Sequence, residues 1–231
     1  MRRLASLSFA LIVVVGGRAE AADARRPTVV ELFQSQGCSS CPPANANLIA
    51  LSDRSDLLTL SFGVTYWDQL GWKDTFASPQ FTERQWDYAR ALHHDNVGTP
   101  EVVVNGRADV VGQDRRELEA LILREDRGSA GPDISIAGGV VTVGAVAGVV
   151  RSGEVLLIRY DPRTVQVPIR RGENGGRTLP HKDVVKALAR LGTWSGRRAT
   201  YALPSAGPGD LKTAILIQAG PGGPILAAAH D

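Results

Sequence analysis

Thr28-Val29-Val30-Glu31-Leu32-Phe33, followed two residues later by Gln36-Gly37-Cys38-Ser39-Ser40-Cys41-Pro42-Pro43, is the stretch from which the fold is read. Its first part is mostly apolar without clear alternation, which suits a strand buried on both faces of a sheet. After the cysteines, Ala44, Leu48 and Leu51 recur at helical spacing, and Pro42 and Pro43 fit a first helical turn, where a missing N–H costs least. A strand, a tight turn and a helix therefore place the chain's only two cysteines at a helix start. Unpaired N–H groups and the helix dipole there favour a thiolate. Two thiols separated by two residues are arranged so that one can attack a disulfide and the other resolve the product.

Working outward to the N-terminus, residues 1–21 combine Arg2 and Arg3, an apolar run over 4–15 and Ala19-Glu20-Ala21. That pattern reads as a cleavable secretory signal peptide, so the protein is expected to be exported, periplasmic or secreted, with no stable membrane anchor. Its removal takes away three arginines and one glutamate and brings the formal charge of +2 to zero. Charge thus offers no case for nucleic acid or a polyanionic surface. Export also implies an oxidising compartment, where a cysteine pair can persist as a disulfide.

Downstream, residues 57–64 read as a second strand, running into the aromatic loop Tyr66-Trp67-Asp68-Gln69-Leu70-Gly71-Trp72. Ser78-Pro79 reads as a helix start, with Phe81, Tyr88 and Leu92 on one face and an end near His93-His94. Gly98-Thr99-Pro100 precedes a strand over 101–104, the turn Asn105-Gly106 and a returning strand over 108–112. Asp114 and Glu117 form a capping box for a last helix carrying Leu118, Leu121 and Ile122. Residues 27–127 are thus expected to form one α/β unit, and residues 128–132 a linker. Residues 133–231 are expected to form a smaller β-rich domain, sandwich or barrel-like. Its candidate strands are 134–136, 140–146, 155–160, 165–170, 199–203 and 213–218, while residues 184–191 fit a helix or a strand.

The first unit, with Cys-x-x-Cys after its first strand and Thr99-Pro100 before its hairpin, resembles the thioredoxin superfamily. Thr99-Pro100 matches the position that carries a cis-proline facing the cysteine pair in that superfamily, where residue 99 can hydrogen-bond an extended substrate chain. Gly37 stands where a tryptophan is common, and Ser39-Ser40 stands where thioredoxin has Gly-Pro. At finer grain, the chain beyond residue 21 is similar to an exported thioredoxin-like family catalogued as domain of unknown function 1223. That likeness rests on residues 36–43, Tyr66-Trp67-Asp68, Leu70-Gly71-Trp72, Arg84-Gln85, Thr99-Pro100, Arg171-Gly172-Glu173-Asn174 and Gly176-Arg177-Thr178-Leu179.

These features together imply an exported thiol–disulfide oxidoreductase acting on protein or peptide disulfides, recharged by an unidentified redox partner. Cys38, expected nearer the solvent, is the candidate nucleophile and Cys41 the resolving thiol; Thr99 and Pro100 flank the substrate. Trp67 and Trp72 either stack on a substrate or cover a core. Asp68 either accepts a proton from Cys41 or caps its loop. Glu173 and Arg177 belong to a glycine-rich turn that reads as an exposed hairpin end, an anion or partner site, or a docking contact between the two units. His93 or His94 could join the thiolates around copper or zinc, but no second Cys/His cluster sits at ligand spacing, so no metal and no cofactor are expected. The alternative is a non-catalytic peptide- or metal-binding module with a structural disulfide.

Overall fold

The computed structural model describes residues 22–128, 130–147, 152–205 and 209–231; the expected signal segment 1–21 lies outside them. Strand β1 (Thr28–Gln34) is buried at every position and pairs in parallel with β2 (Leu57–Gly63), itself buried throughout. Between them runs α1 (Cys41–Leu51), with proline in its first turn as the sequence predicts. After a short 3-10 turn over Asp68–Leu70 comes α2 (Pro79–Ala91), where the Ser78 hydroxyl accepts from the Gln80 N–H. Strand β3 (Glu101–Val104) pairs antiparallel with β1 and with β4 (Ala108–Val110). Helix α3 (Arg115–Arg124) begins on Asp114, whose carboxylate accepts from the Arg116 and Glu117 N–H groups.

The period of two in β1 sorts its side chains between two cores. Val30 and Leu32 meet Leu48 and Leu51 of α1 and Leu118, Leu121 and Ile122 of α3. Val29 and Phe33 turn the other way, onto Phe81 and Tyr88 of α2. Glu31 shares that second face and is 0% exposed, so its charge needs a partner there. Arg84 of α2 supplies it, its Nη2 lying 2.8 and 3.0 Å from the two carboxylate oxygens.

The remaining strands are β5 (Ile134–Ala137), β6 (Val140–Val143), β7 (Gly153–Asp161), β8 (Val165–Pro168), β9 (Thr178–His181), β10 (Val184–Trp194), β11 (Ala199–Ala202), β12 (Lys212–Gln218) and β13 (Ile225–His230). Four of them extend the first sheet, giving one eight-stranded mixed sheet in the order β13-β12-β7-β10-β2-β1-β3-β4. The segments 27–127 and 133–231, read from composition as separate domains, therefore share a sheet. The join is the parallel pairing of β10 with β2, where the Ser61 N–H donates to the Asp183 carbonyl at 2.9 Å and the Thr59 hydroxyl to the Asp183 carboxylate at 2.5 Å. Nor does Gly131, in the expected linker, hang free. Gly131, at φ +107°, is seated on β13, with a Cβ there falling 2.1 Å from the Leu226 carbonyl oxygen.

This half is β-rich as expected, its strands divided between the large mixed sheet and two small antiparallel sheets. A three-stranded sheet, β11-β6-β5, covers the outer portion of the large sheet through Val141, Val143, Leu157, Trp194, Ile215 and Ile217. The stretch left between helix and strand at 184–191 is strand β10, because Val184 and Val185 enter the buried sheet while β7 pairs along its length. Strands β8 and β9 form a separate hairpin whose tip, residues 169–177, leaves the sheets and lies against the cysteine turn.

Candidate functional site

Cys38 and Cys41 are joined by a disulfide, with their Cα atoms 5.4 Å apart. Cys38 sits in the turn before α1 and Cys41 is the helix's first residue. Facing them is the Thr99–Pro100 peptide bond, which is cis. The Thr99 carbonyl oxygen lies 3.7 Å from Cys38 Sγ, and the Ser40 hydroxyl lies 3.2 Å from the same sulfur. A disulfide sulfur has no proton to give, so Ser40 is the donor, its single proton divided between Sγ and the Thr99 carbonyl at 3.3 Å. When the pair is reduced, that hydroxyl is placed to donate to a Cys38 thiolate.

The expectation that Cys38 is the more exposed cysteine does not match the structure: Cys38 is 0% and Cys41 2% exposed. Cys38 differs in its neighbours. Ser40 and Thr99, the residues touching its sulfur, also line a groove of about 660 Å³ with Pro100, Glu101, Asp109 and Val111. Cys41 instead borders a smaller cavity of about 270 Å³ with Gln34, Asn45, Arg177 and His181.

The turn is held from three sides. The Gln36 N–H donates to the Asp74 carboxylate at 2.7 Å, and the Trp72 indole N–H donates to Gln36 Oε1 at 3.0 Å. From the hairpin tip, Asn174 Nδ2 donates to the carbonyls of Gln36 and Cys38 at 3.0 and 2.8 Å, while the Ser39 N–H donates to the Glu173 carboxylate at 3.0 Å. Those Ser39 bonds draw the Glu173 carboxyl below its usual range. Arg177 in turn donates to Asn174 Oδ1 at 2.7 Å, and Gln113 Nε2 donates to the Ser40 carbonyl at 2.6 Å. Glu173 and Arg177 thus take part in docking the hairpin tip onto the cysteine turn.

Other candidates sit elsewhere. Trp67 packs against the core formed with α2, Trp72 packs against Val167, Ile169 and Leu179, and neither lines the groove beside Thr99. Asp68 accepts the Asp74 N–H at 3.0 Å, holding its own loop. Asp74, like Glu173, does reach the cysteine turn, and its carboxyl is pushed up to about 6 by burial. His94 pairs with Asp109 at 2.8 Å, and that bond raises its pKa. Among the described residues no group of three His, Cys, Asp or Glu side chains is placed to hold a metal ion.

Two buried ionisable groups border these spaces. Glu101, directly after the cis bond, accepts Gln85 Nε2 at 2.5 Å and is pushed up to about 7 by burial. His181, beside Cys41's cavity, is 3% exposed; its Nε2 has no partner, and burial holds it down at about 4. Sequence reasoning missed Ser40, Asp74, Glu101, Asn174 and His181. For Asn174 a signal existed, since it lies within the Arg171-to-Asn174 stretch that carried the family likeness.

A family profile described as "Protein of unknown function (DUF1223)" matches residues 29–218. Among solved structures, protein AGR_C_4864 from Agrobacterium tumefaciens is similar at 32% identity and a TM-score of 0.73, over 92% of this chain and 95% of that one. HBP35 of Porphyromonas gingivalis is similar at 13% identity and a TM-score of 0.61, over 92% of this chain and 76% of that one. The latter likeness is one of fold alone. No curated protein matches the chain.

Proposed function

The chain belongs to the DUF1223 family, whose description assigns no activity, and we propose that it is an exported thiol–disulfide oxidoreductase built on a thioredoxin-like core, acting on protein or peptide disulfides. The observation that carries this reading is the contact between Cys38 Sγ and the Thr99 carbonyl, 3.7 Å apart across a cis Thr99–Pro100 bond. A disulfide serving only as a staple has no need of a backbone carbonyl and a hydroxyl at one sulfur, both facing a groove. Export rests on the leader pattern of residues 1–21.

In the reducing direction, the Cys38 thiolate attacks one substrate sulfur, the substrate S–S bond breaks, and one substrate thiolate leaves. The Cys41 thiolate then attacks Cys38 Sγ, forming the Cys38–Cys41 disulfide and releasing the second substrate thiolate. Two electrons pass to the substrate, and an external dithiol restores the pair. An extended substrate segment lies in the groove beside Thr99, with Ser40 steadying the Cys38 thiolate at each turn of the cycle.

Trapping tests the reading. Cys41→Ala is expected to accumulate mixed disulfides with exported proteins, and Cys38→Ala is not. Equal failure of both to trap removes the exchange role. A second reading, a structural disulfide, has the complete burial of Cys38 in its favour. A measured reduction potential below about −300 mV would support it.

A further inference from the structure

Away from the cysteines, a cavity of about 270 Å³ opens between the chain following α3, the residues after β6, and β13. Its wall is apolar, with Pro132, Val146, Trp194 and Leu226, except for Arg107 and Arg127. Val146, on that wall, is 39% exposed.

Arg127 is the telling residue. It is 6% exposed, and its Nη2 donates to the Pro27 carbonyl at 2.5 Å. Its Nε and Nη1 are buried without any acceptor. A buried guanidinium with unmet N–H groups is costly, and native interiors keep such groups only rarely. The cost shows in its acidity: burial pulls Arg127 down to about 10, with Arg107 and Arg26 adding to the effect against the nearby Asp126. Asp126 accepts from Ala22, Thr28 and Gly128 rather than from the Arg127 guanidinium. Arg26 is engaged with Asp133 at 2.5 Å. Positive charge is therefore in excess where a cavity of otherwise apolar wall adjoins it.

We infer that this cavity binds a small carboxylate with an apolar body, the carboxylate meeting Arg127 and Arg107 and the body lying along Val146, Trp194 and Leu226. An anion there offsets the charge that Arg107 and Arg127 bring to the cavity wall. The apolar wall selects against strongly hydrated inorganic anions, which would leave it uncovered. A second cavity of about 310 Å³, with Ala219 and Pro224 on its wall, shares Arg107 and Leu226 with the first. The site uses none of the residues of the cysteine turn and stands independently of the thiol chemistry.

Calorimetric titration of the full chain with octanoate, octanamide and inorganic phosphate tests this. Octanoate is expected to saturate one site, with octanamide and phosphate giving no comparable binding. Arg107→Met and Arg127→Met are each expected to weaken octanoate at least tenfold. Absence of saturable octanoate binding overturns the inference, as does octanamide binding equally well, phosphate competing equally well, or Arg107→Met leaving affinity unchanged. Arg107 is exposed, so its variant decides the matter even where Arg127→Met fails to fold.

Discussion

Asn174, at the tip of a hairpin, donates its side-chain amide to the carbonyl of Cys38, 136 residues earlier, at 2.8 Å. The same amide group reaches the Gln36 carbonyl at 3.0 Å, so one buried side chain holds both ends of the turn that carries the first cysteine. The site is thus assembled from both halves of the chain.

Asn174→Ala takes the side-chain donor from the Gln36 carbonyl and one of two donors from the Cys38 carbonyl, which keeps the Cys41 N–H at 3.3 Å. The loss at Gln36 costs about 1–3 kcal/mol, so a lowered melting temperature is expected, together with faster reduction of the Cys38–Cys41 disulfide by dithiothreitol as the turn loosens. A variant that reduces at the wild-type rate would show that the hairpin tip does not govern access.

Ser40→Ala removes the hydroxyl 3.2 Å from Cys38 Sγ. A hydrogen bond to a charged group is worth ~1.5–3 kcal/mol, and Ser40 divides its proton with Thr99. The rate of Cys38 alkylation in the reduced protein at neutral pH is expected to fall by about tenfold, with little change in stability. Iodoacetamide kinetics provide the measurement.

His181 imposes a pH dependence of definite sign. Its pKa is about 4 in the folded chain against 6.5 for the free side chain, so the unfolded state binds the extra proton first. Stability is unaffected above pH 6.5 and falls as pH drops from 6.5 towards 4, by up to ~3 kcal/mol. His181→Gln should abolish that component in denaturation curves recorded at pH 7 and pH 4.5.

Glu101 works in the opposite sense. Burial raises it from 4.5 to about 7, so the folded state holds the proton longer, and its contribution is full below pH 4.5 and lost as pH rises through 7. Glu101→Gln, which keeps a partner for Gln85, is expected to be the more stable protein at pH 8, by up to ~3 kcal/mol. Equal stability of variant and wild type at pH 8 would rule this account out.

Arg84→Met strands the Glu31 carboxylate, which is 0% exposed. Breaking a buried pair from one side costs ~3–5 kcal/mol. Arg84 also donates to Gln218 at 3.0 Å, and Tyr88 donates to Glu31, so the group ties β1, α2 and β12 together. Urea denaturation should show the loss, and the double variant Glu31→Gln, Arg84→Met should recover part of it.

Much of the first half was legible because its signals are local. Proline in the first turn of α1 and the Ser78 and Asp114 caps each state their structure within a few residues, and the family resemblance implied the cis bond at Thr99-Pro100. The second half was less so. Strand β13 is Ile-Leu-Ala-Ala-Ala-His, poor in strand-forming side chains, and is a strand because β12 pairs with it from Ala214 to Gln218. The break in composition at 128–132 marks a real change from α/β to β-rich sequence, yet no run of residues announces that β10 will pair beside β2.

The sequence by itself determined where the disulfide could form and which helix starts beside it, since spacing, caps and burial period are properties of short stretches, whereas the proline that faces it was implied by the family resemblance. Only the tertiary structure decided what surrounds that disulfide. Asn174, Glu173 and Asp74 reach its turn, and His181 shares a cavity with Cys41, from segments far apart in the chain; such placement depends on sheet pairing and hairpin docking, which no local pattern encodes.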